Sequence, residues 1–180
     1  LIDFLSACVT PVVPGLTVVG LIKVVLLLTS LVAPSVVEQQ TYIVINNIVN
    51  TTFYFLPVFI AYGAALKLHC TPVYAMIVVC FLIHPDIITL LGSEEPLKIF
   101  GISAYAATYA SSFMPAILST IVVAYTERFL NKVLPGMFKG VFVGAATVTF
   151  GCIVALLFVG PIGFFLGNYF IQFLVWLQST

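Results

Sequence analysis

From Val13 onward the chain reads as long apolar runs separated by short polar or charged breaks. A bilayer's hydrocarbon core is crossed by about 20 apolar residues in helical form, and the breaks recur at close to that spacing. The pattern predicts spans at 13–33, 43–66, 72–91, 113–131 and 140–160, with a partial sixth at 162–178 beyond Gly160-Pro161. Gln39 to Leu66 runs 28 positions without a formal charge, and the 41 residues from Gly140 to Thr180 contain no Asp, Glu, Lys or Arg. The fold class expected is therefore all-α, a polytopic transmembrane helical bundle of five to six segments. A proline-broken stretch, Phe4 to Pro11, precedes the first span and is expected at the interface. Residues 92–112 are too polar and glycine-rich to span, yet 99–110 are too apolar for a solvated loop. Lipid cannot satisfy backbone amides, so this segment reads either as a re-entrant or interfacial hairpin or as an amphipathic surface segment.

Composition narrows the class further. Hydrophobic residues make up 62% and charged residues 7%, with a mean hydropathy of +1.25, whereas soluble domains run about 45–50% apolar and about 25% charged. A soluble globular domain and a disordered chain are both excluded. Six basic and six acidic residues give zero net charge, which leaves no electrostatic footprint for nucleic acid. Cys8, Cys70, Cys80 and Cys152 form no Cys-x-x-Cys pair and read as small apolar side chains rather than a disulfide framework or metal site. No metal or cofactor is expected. A basic start and a small-residue cleavage site are missing, so no cleavable leader is expected, and a chain opening on Leu1 and closing in an apolar run reads as a fragment.

Loop charges predict the orientation. If the first span runs outward from the cytoplasm, Lys67, Arg128, Lys132 and Lys139 fall inside, and Glu38, Glu94, Glu95 and Lys98 fall outside, as the positive-inside rule asks.

Few residues offer chemistry. Lys23 stands at the middle of the first span, where a charge costs at least about 2.5–3.5 kcal/mol, so it either serves a polar pathway or pairs structurally. Asn46, Asn47, Asn50, Thr51 and Thr52 open the second span. Asn46 and Asn50 share a helical face, as interhelical glue or as the lining of a polar route. The third span carries Leu82-Ile83-His84-Pro85-Asp86, where proline frees backbone carbonyls and His84 either meets a hydroxylated ligand or holds the helix end. His69, beside Lys67, reads as solvated. The candidate substrate-binding residues are thus His84, Lys23 and Asn50. Gly140-x-x-x-Gly144 and Gly163-x-x-x-Gly167 permit close helix approach. Hydrolase, metalloprotease and phosphate-loop motifs are absent, so no catalytic residue is expected.

Residues 53–87, FYFLPVFIAYGAALKLHCTPVYAMIVVCFLIHPDI, resemble the membrane C domain of enzyme II of the bacterial sugar phosphotransferase system, in its glucose and β-glucoside superfamily. That family shows an aromatic Phe-Leu-Pro segment, a small-residue helix ending in a base, a turn, and a helix closing on His-Pro. IKVVLLL after Pro14-Gly15, GISAYAATYASSFMPAIL at 101–118 and VGPIG at 159–163 agree in order. The family's Gly-Ile-Thr-Glu-Pro motif, whose glutamate contacts sugar, its Gly-x-His-Trp segment and the B domain's Cys-x-Thr-Arg-Leu-Arg loop do not occur in these residues. Asn50-Thr51 replaces the usual Asp before Phe-Leu-Pro.

The resemblance implies the N-terminal half of a C domain, supplying scaffold and homodimer interface in the bacterial cytoplasmic membrane. Its implied partners are the lipid bilayer, the phosphotransferase B and A domains and a sugar, with β-glucosides or a related disaccharide favoured. Phosphate would come from phosphoenolpyruvate through carrier proteins to a B-domain cysteine, so neither transport nor phosphorylation is expected of these residues alone. The alternative is a non-transporting membrane scaffold or assembly subunit.

Overall fold

The computed structural model describes residues 2–91, 98–99, 102–103, 113–134, 139–159, 169 and 172. Apart from short turns and a two-residue antiparallel pairing they are helical. Helix α1 covers Ile2–Val9, α2 Val13–Val32, α3 Gln40–Tyr54, α4 Leu56–Leu68, α5 Pro72–Leu82 and α6 Pro85–Leu91. Strands β1 (Lys98–Ile99) and β2 (Ile102–Ser103) then pair with Ile99 opposite Ile102. Helix α7 covers Phe113–Val133, and α8 (Gly144–Val154) is flanked by π-helical turns at Lys139–Val143 and Ala155–Val159.

Prolines mark where helices begin. Pro14, Pro57 and Pro72 sit in the first turns of α2, α4 and α5, where the missing N–H would have had no helical partner. Pro57 and Pro85 also interrupt what hydropathy reads as continuous spans. The axes of α3 and α4 bend by 43°, and those of α5 and α6 by 48°, because each proline removes one i→i−4 bond and its ring crowds the preceding turn. The expected spans 43–66 and 72–91 fall on these two bent pairs.

Two described helices, Val13–Val32 and Gly140–Val159, are long and apolar enough to cross a membrane, or up to four if each bent pair is one span. Helix α7 coincides with the expected span 113–131 and is 21 residues long. It carries Glu127, Arg128 and Lys132 in its last two turns and is not among those two or four. The expected sixth span lies almost wholly outside the described residues, as does most of 92–112. What is described of that segment is the β1–β2 pairing.

The core forms where α4, α5, α7 and α8 meet, around Ala61, Ala65, Val78, Leu82, Val123 and Leu156. Small residues let these backbones approach closely, which is how helices associate where lipid is as apolar as the side chains. At Gly151 an added Cβ would stand 3.1 Å from Val78 and 3.2 Å from Val123, and at Gly144 it would stand 2.8 Å from the Tyr74 hydroxyl. Helix α8 therefore lies against both α5 and α7. Of the Gly140–Gly144 pair only Gly144 makes such an approach, since nothing lies within 4 Å of a Cβ at Gly140. The other glycine pair is outside the described residues.

The N-terminal stretch expected at the interface is the helix α1, which packs on α4 with the Cys8 carbonyl against Gly63. Helix α2 packs on α3 and the intervening 3-10 turn Pro34–Glu38, and Leu26 is its one buried residue.

Candidate functional site

Three polar clusters interrupt the apolar surfaces. The first joins α2 to α3. Lys23 Nζ donates to Asn46 Oδ1 at 2.7 Å and to Asn50 Oδ1 at 3.3 Å. The four-residue spacing that puts both amides on one face of α3 is what lets one ammonium reach both. The two carbonyls replace part of the hydration that an ammonium loses inside a bilayer. Of the neighbouring hydroxyls, Thr52 Oγ1 turns back to the Ile48 carbonyl of its own helix.

The second cluster is the α5–α6 break. His84 precedes Pro85, and its Nδ1 accepts the Asp86 N–H at 3.3 Å, which caps the first turn of α6 in the manner of an N-cap side chain. With Nδ1 accepting, the neutral ring carries its proton on Nε2 and offers it outward. The Asp86 carboxylate stands 3.7 Å from Nδ1, placed to pair with the ring when it is protonated. An open cavity of about 450 Å³ lies here, lined by Ile77, Cys80, Phe81, His84, Asp86 and Ile87.

The structure thus brings Lys23 and Asn50 together and leaves His84 in a separate cluster. Helix α3 touches both. Tyr54, one turn beyond Asn50, donates from its hydroxyl to the Ile83 carbonyl at 3.0 Å. Tyr54 therefore satisfies the Ile83 carbonyl at the break, the Phe81 carbonyl that Pro85 cannot reach accepts the His84 N–H at 3.3 Å, and the His84 ring serves the N–H side. Tyr54 carried no signal of its own in the sequence, being one aromatic in the run FYFLP.

A third cluster involves residues that sequence reasoning missed. The α4–α5 turn holds His69 at φ 51°, a left-handed conformation that costs a residue other than glycine about 1–2 kcal/mol. It closes α4 with a bond from Cys70 N–H to the Ala65 carbonyl at 3.1 Å. Glu127 and Arg128 of α7 reach this turn. Glu127 accepts from Thr71 N–H and Oγ, and Arg128 donates to the Leu68 carbonyl. Arg128 also lies 6.0 Å above the Tyr125 ring. Lys67 and Arg128, expected on one side of the membrane, are gathered at one end of the bundle.

The four cysteines are free thiols: Cys8 is buried, Cys70 and Cys152 half-buried and Cys80 exposed. Among the described residues no group of three or more His, Cys, Asp or Glu is arranged to hold a metal ion.

A β-glucoside-specific EIIBCA component of the phosphotransferase system (PTS) from Bacillus subtilis (strain 168) is 30% identical over 167 residues, which are 93% of this chain and 27% of that protein. The arbutin-, cellobiose- and salicin-specific EIIBC component of Escherichia coli (strain K12) is 25% identical over 171 residues, covering 93% of this chain and 35% of that protein. A probable sucrose-specific EIIBC component of B. subtilis is 24% identical over 179 residues, covering 97% and 39%. The chain thus spans about a quarter to two fifths of the length of these relatives. No solved structure matches it significantly. Residues 6–180 match the family model for the phosphotransferase system EIIC, and the chain, with its apolar helices broken at prolines, belongs to that family.

Proposed function

We propose that these residues are the N-terminal half of the membrane domain of a sugar-specific phosphotransferase-system permease, which moves a sugar across the bacterial cytoplasmic membrane coupled to its phosphorylation. The family match over residues 6–180 carries this reading. The substrate class is a β-glucoside or related disaccharide, in keeping with relatives named for β-glucosides, arbutin, cellobiose, salicin and sucrose. The relatives' EIIBC and EIIBCA names supply the partners, B and A domains that deliver phosphate, and the assembly is a homodimer. Five to six membrane segments complete the topology, with α7 as a span whose charged end lies at the cytoplasmic face.

Within this half, His84 is the residue best placed for sugar, since its Nε2–H is free beside an open cavity. Lys23 and Asn50 contribute at a polar contact between spans. The Gly-Ile-Thr-Glu-Pro glutamate does not occur in these residues, so binding is completed by the rest of the C domain.

The test is uptake in a strain lacking its own permeases. The 180-residue chain by itself should accumulate no sugar, and co-expression with a C-terminal half carrying the missing motifs should restore uptake of a labelled β-glucoside. In the complete protein His84→Ala should reduce uptake about tenfold per molecule present in the membrane, roughly 1.4 kcal/mol, beyond any loss of abundance from the missing α6 cap. Uptake by the 180 residues alone, or an unaltered His84→Ala variant, would overturn the respective part of the reading.

A further inference from the structure

We propose that Glu127 is a positioning residue: through Thr71 it fixes the start of α5 to the end of α7, and so fixes where the far end of α5 sets His84. That consequence for transport rests on the permease reading, whereas the latch itself does not.

The geometry begins with a cap that fails to cap. Thr71 precedes α5 in the N-cap position, where its hydroxyl would ordinarily accept an N–H of the first turn. It makes no such bond. Its Oγ donates instead to Glu127 Oε1 at 2.5 Å, and its N–H to Oε2 at 2.9 Å. Both carboxylate oxygens are engaged by one residue 56 positions away in sequence, at lengths typical of charge-assisted bonds.

The next residue, Arg128, donates to Leu68, the last residue of α4. Consecutive side chains of α7 therefore hold both sides of one turn. The anion sits at the N-terminus of α5 and the cation at the C-terminus of α4, each at the helix end whose dipole favours it. The turn they grip contains the left-handed His69.

Elsewhere the face between α5 and α7 is built from side chains such as Val78, Val79 and Val123. Interdigitated apolar side chains set the distance and crossing of the helices but supply no directional bond along the axis. A bidentate carboxylate at one end sets the axial register. Helix α5 transmits that register to its other end, where Cys80 and His84 line the cavity.

Two native thiols report on the two ends. Cys70 lies in the gripped turn, where burial first and the Glu127 charge second push its thiol up to about 11, with the Arg128 charge opposing them. Cys80 lines the cavity beside His84. The experiment measures alkylation of each in membranes carrying the complete protein, by mass spectrometry of the two peptides across pH 7 to 9, alongside sugar uptake and protein abundance. Thr71→Val removes the hydroxyl and keeps the shape, Thr71→Ser keeps the hydroxyl, and Glu127→Gln removes the charge.

Glu127→Gln and Thr71→Val should each change the Cys80 rate by about threefold or more. In Glu127→Gln the Cys70 profile should also move to lower pH, because the thiolate is the reactive form. Uptake should fall at unchanged abundance in both, and Thr71→Ser should restore every readout. A shifted Cys70 profile with Cys80 unchanged would reduce Glu127 to a local cap and overturn the proposal, as would unchanged rates at both thiols. Altered Cys80 with normal uptake would also overturn it. If Glu127→Gln fails to accumulate, Thr71→Val decides, since it leaves one of the two bonds. Absence of uptake by the parent protein would count against the permease reading, with the two thiol rates still deciding the latch.

Discussion

Lys23 illustrates how a single charge is accommodated on an otherwise apolar helix. Its ammonium lies on Asn46 Oδ1 and Asn50 Oδ1, so two neutral carbonyls take over part of the role of water. If the cluster fastens α2 to α3, the residues act as a unit and their truncations are non-additive. Lys23→Ala and Asn46→Ala should each lower thermal stability in detergent, and the double variant should lose less than the sum. A coupling of about 0.5–2 kcal/mol is expected, in the range of interhelical polar contacts in membranes. Additive losses would show that Lys23 draws its support elsewhere. Glu127 is the other residue whose role is fixed by a distant partner, and it was invisible to the sequence reading because an Asp or Glu near a helix end ordinarily reads as solvated charge.

At the scale of elements, the bends and the close approaches matter most. Hydropathy treats 43–66 and 72–91 as uninterrupted, because Pro57 and Pro85 alter the backbone bonding without making the segment less apolar. The α1–α4 contact depends on one glycine. A Cβ on Gly63 would lie 1.9 Å from the Cys8 carbonyl oxygen, and the obstacle is backbone, which cannot rotate aside. Gly63→Ala should force the two helices apart and cost about 1–3 kcal/mol or more, seen as a lower melting temperature and reduced abundance in the membrane. Gly20→Ala is the control. Nothing lies within 4 Å of a Cβ there, and alanine is the better helix former by up to about 1 kcal/mol, so α2 should be unaffected or stabilised. Equal effects of the two substitutions would remove the close approach as the cause.

For the whole molecule, orientation follows from where the bases gather. Arg128 reaching Leu68 places α7's charged end beside the last turn of α4, which carries Lys67, so these bases share one end of the bundle. The positive-inside rule assigns that end to the cytoplasm. In a cysteine-free background, Lys67→Cys and Lys132→Cys should resist a membrane-impermeant maleimide applied to intact cells and react in inverted vesicles, with Glu38→Cys behaving oppositely. Ready labelling of Lys132→Cys from outside would invert the topology.

The sequence by itself determined the solvent of this protein, its helical class and its family. Hydropathy and helical period are sums over neighbouring residues, and they report faithfully on elements such as Val13–Val32 and Gly140–Val159. The i, i+4 spacing of Asn46 and Asn50 was legible for the same reason. Which side chain would meet that face was decided by how α2 crosses α3. In the same way, the tertiary structure alone brought Glu127 to Thr71, Tyr54 to the Ile83 carbonyl and Gly63 under the Cys8 backbone. These contacts join residues 29 to 56 positions apart, and they follow from the rotation and axial register of packed helices, quantities that no local pattern of apolar and polar residues encodes.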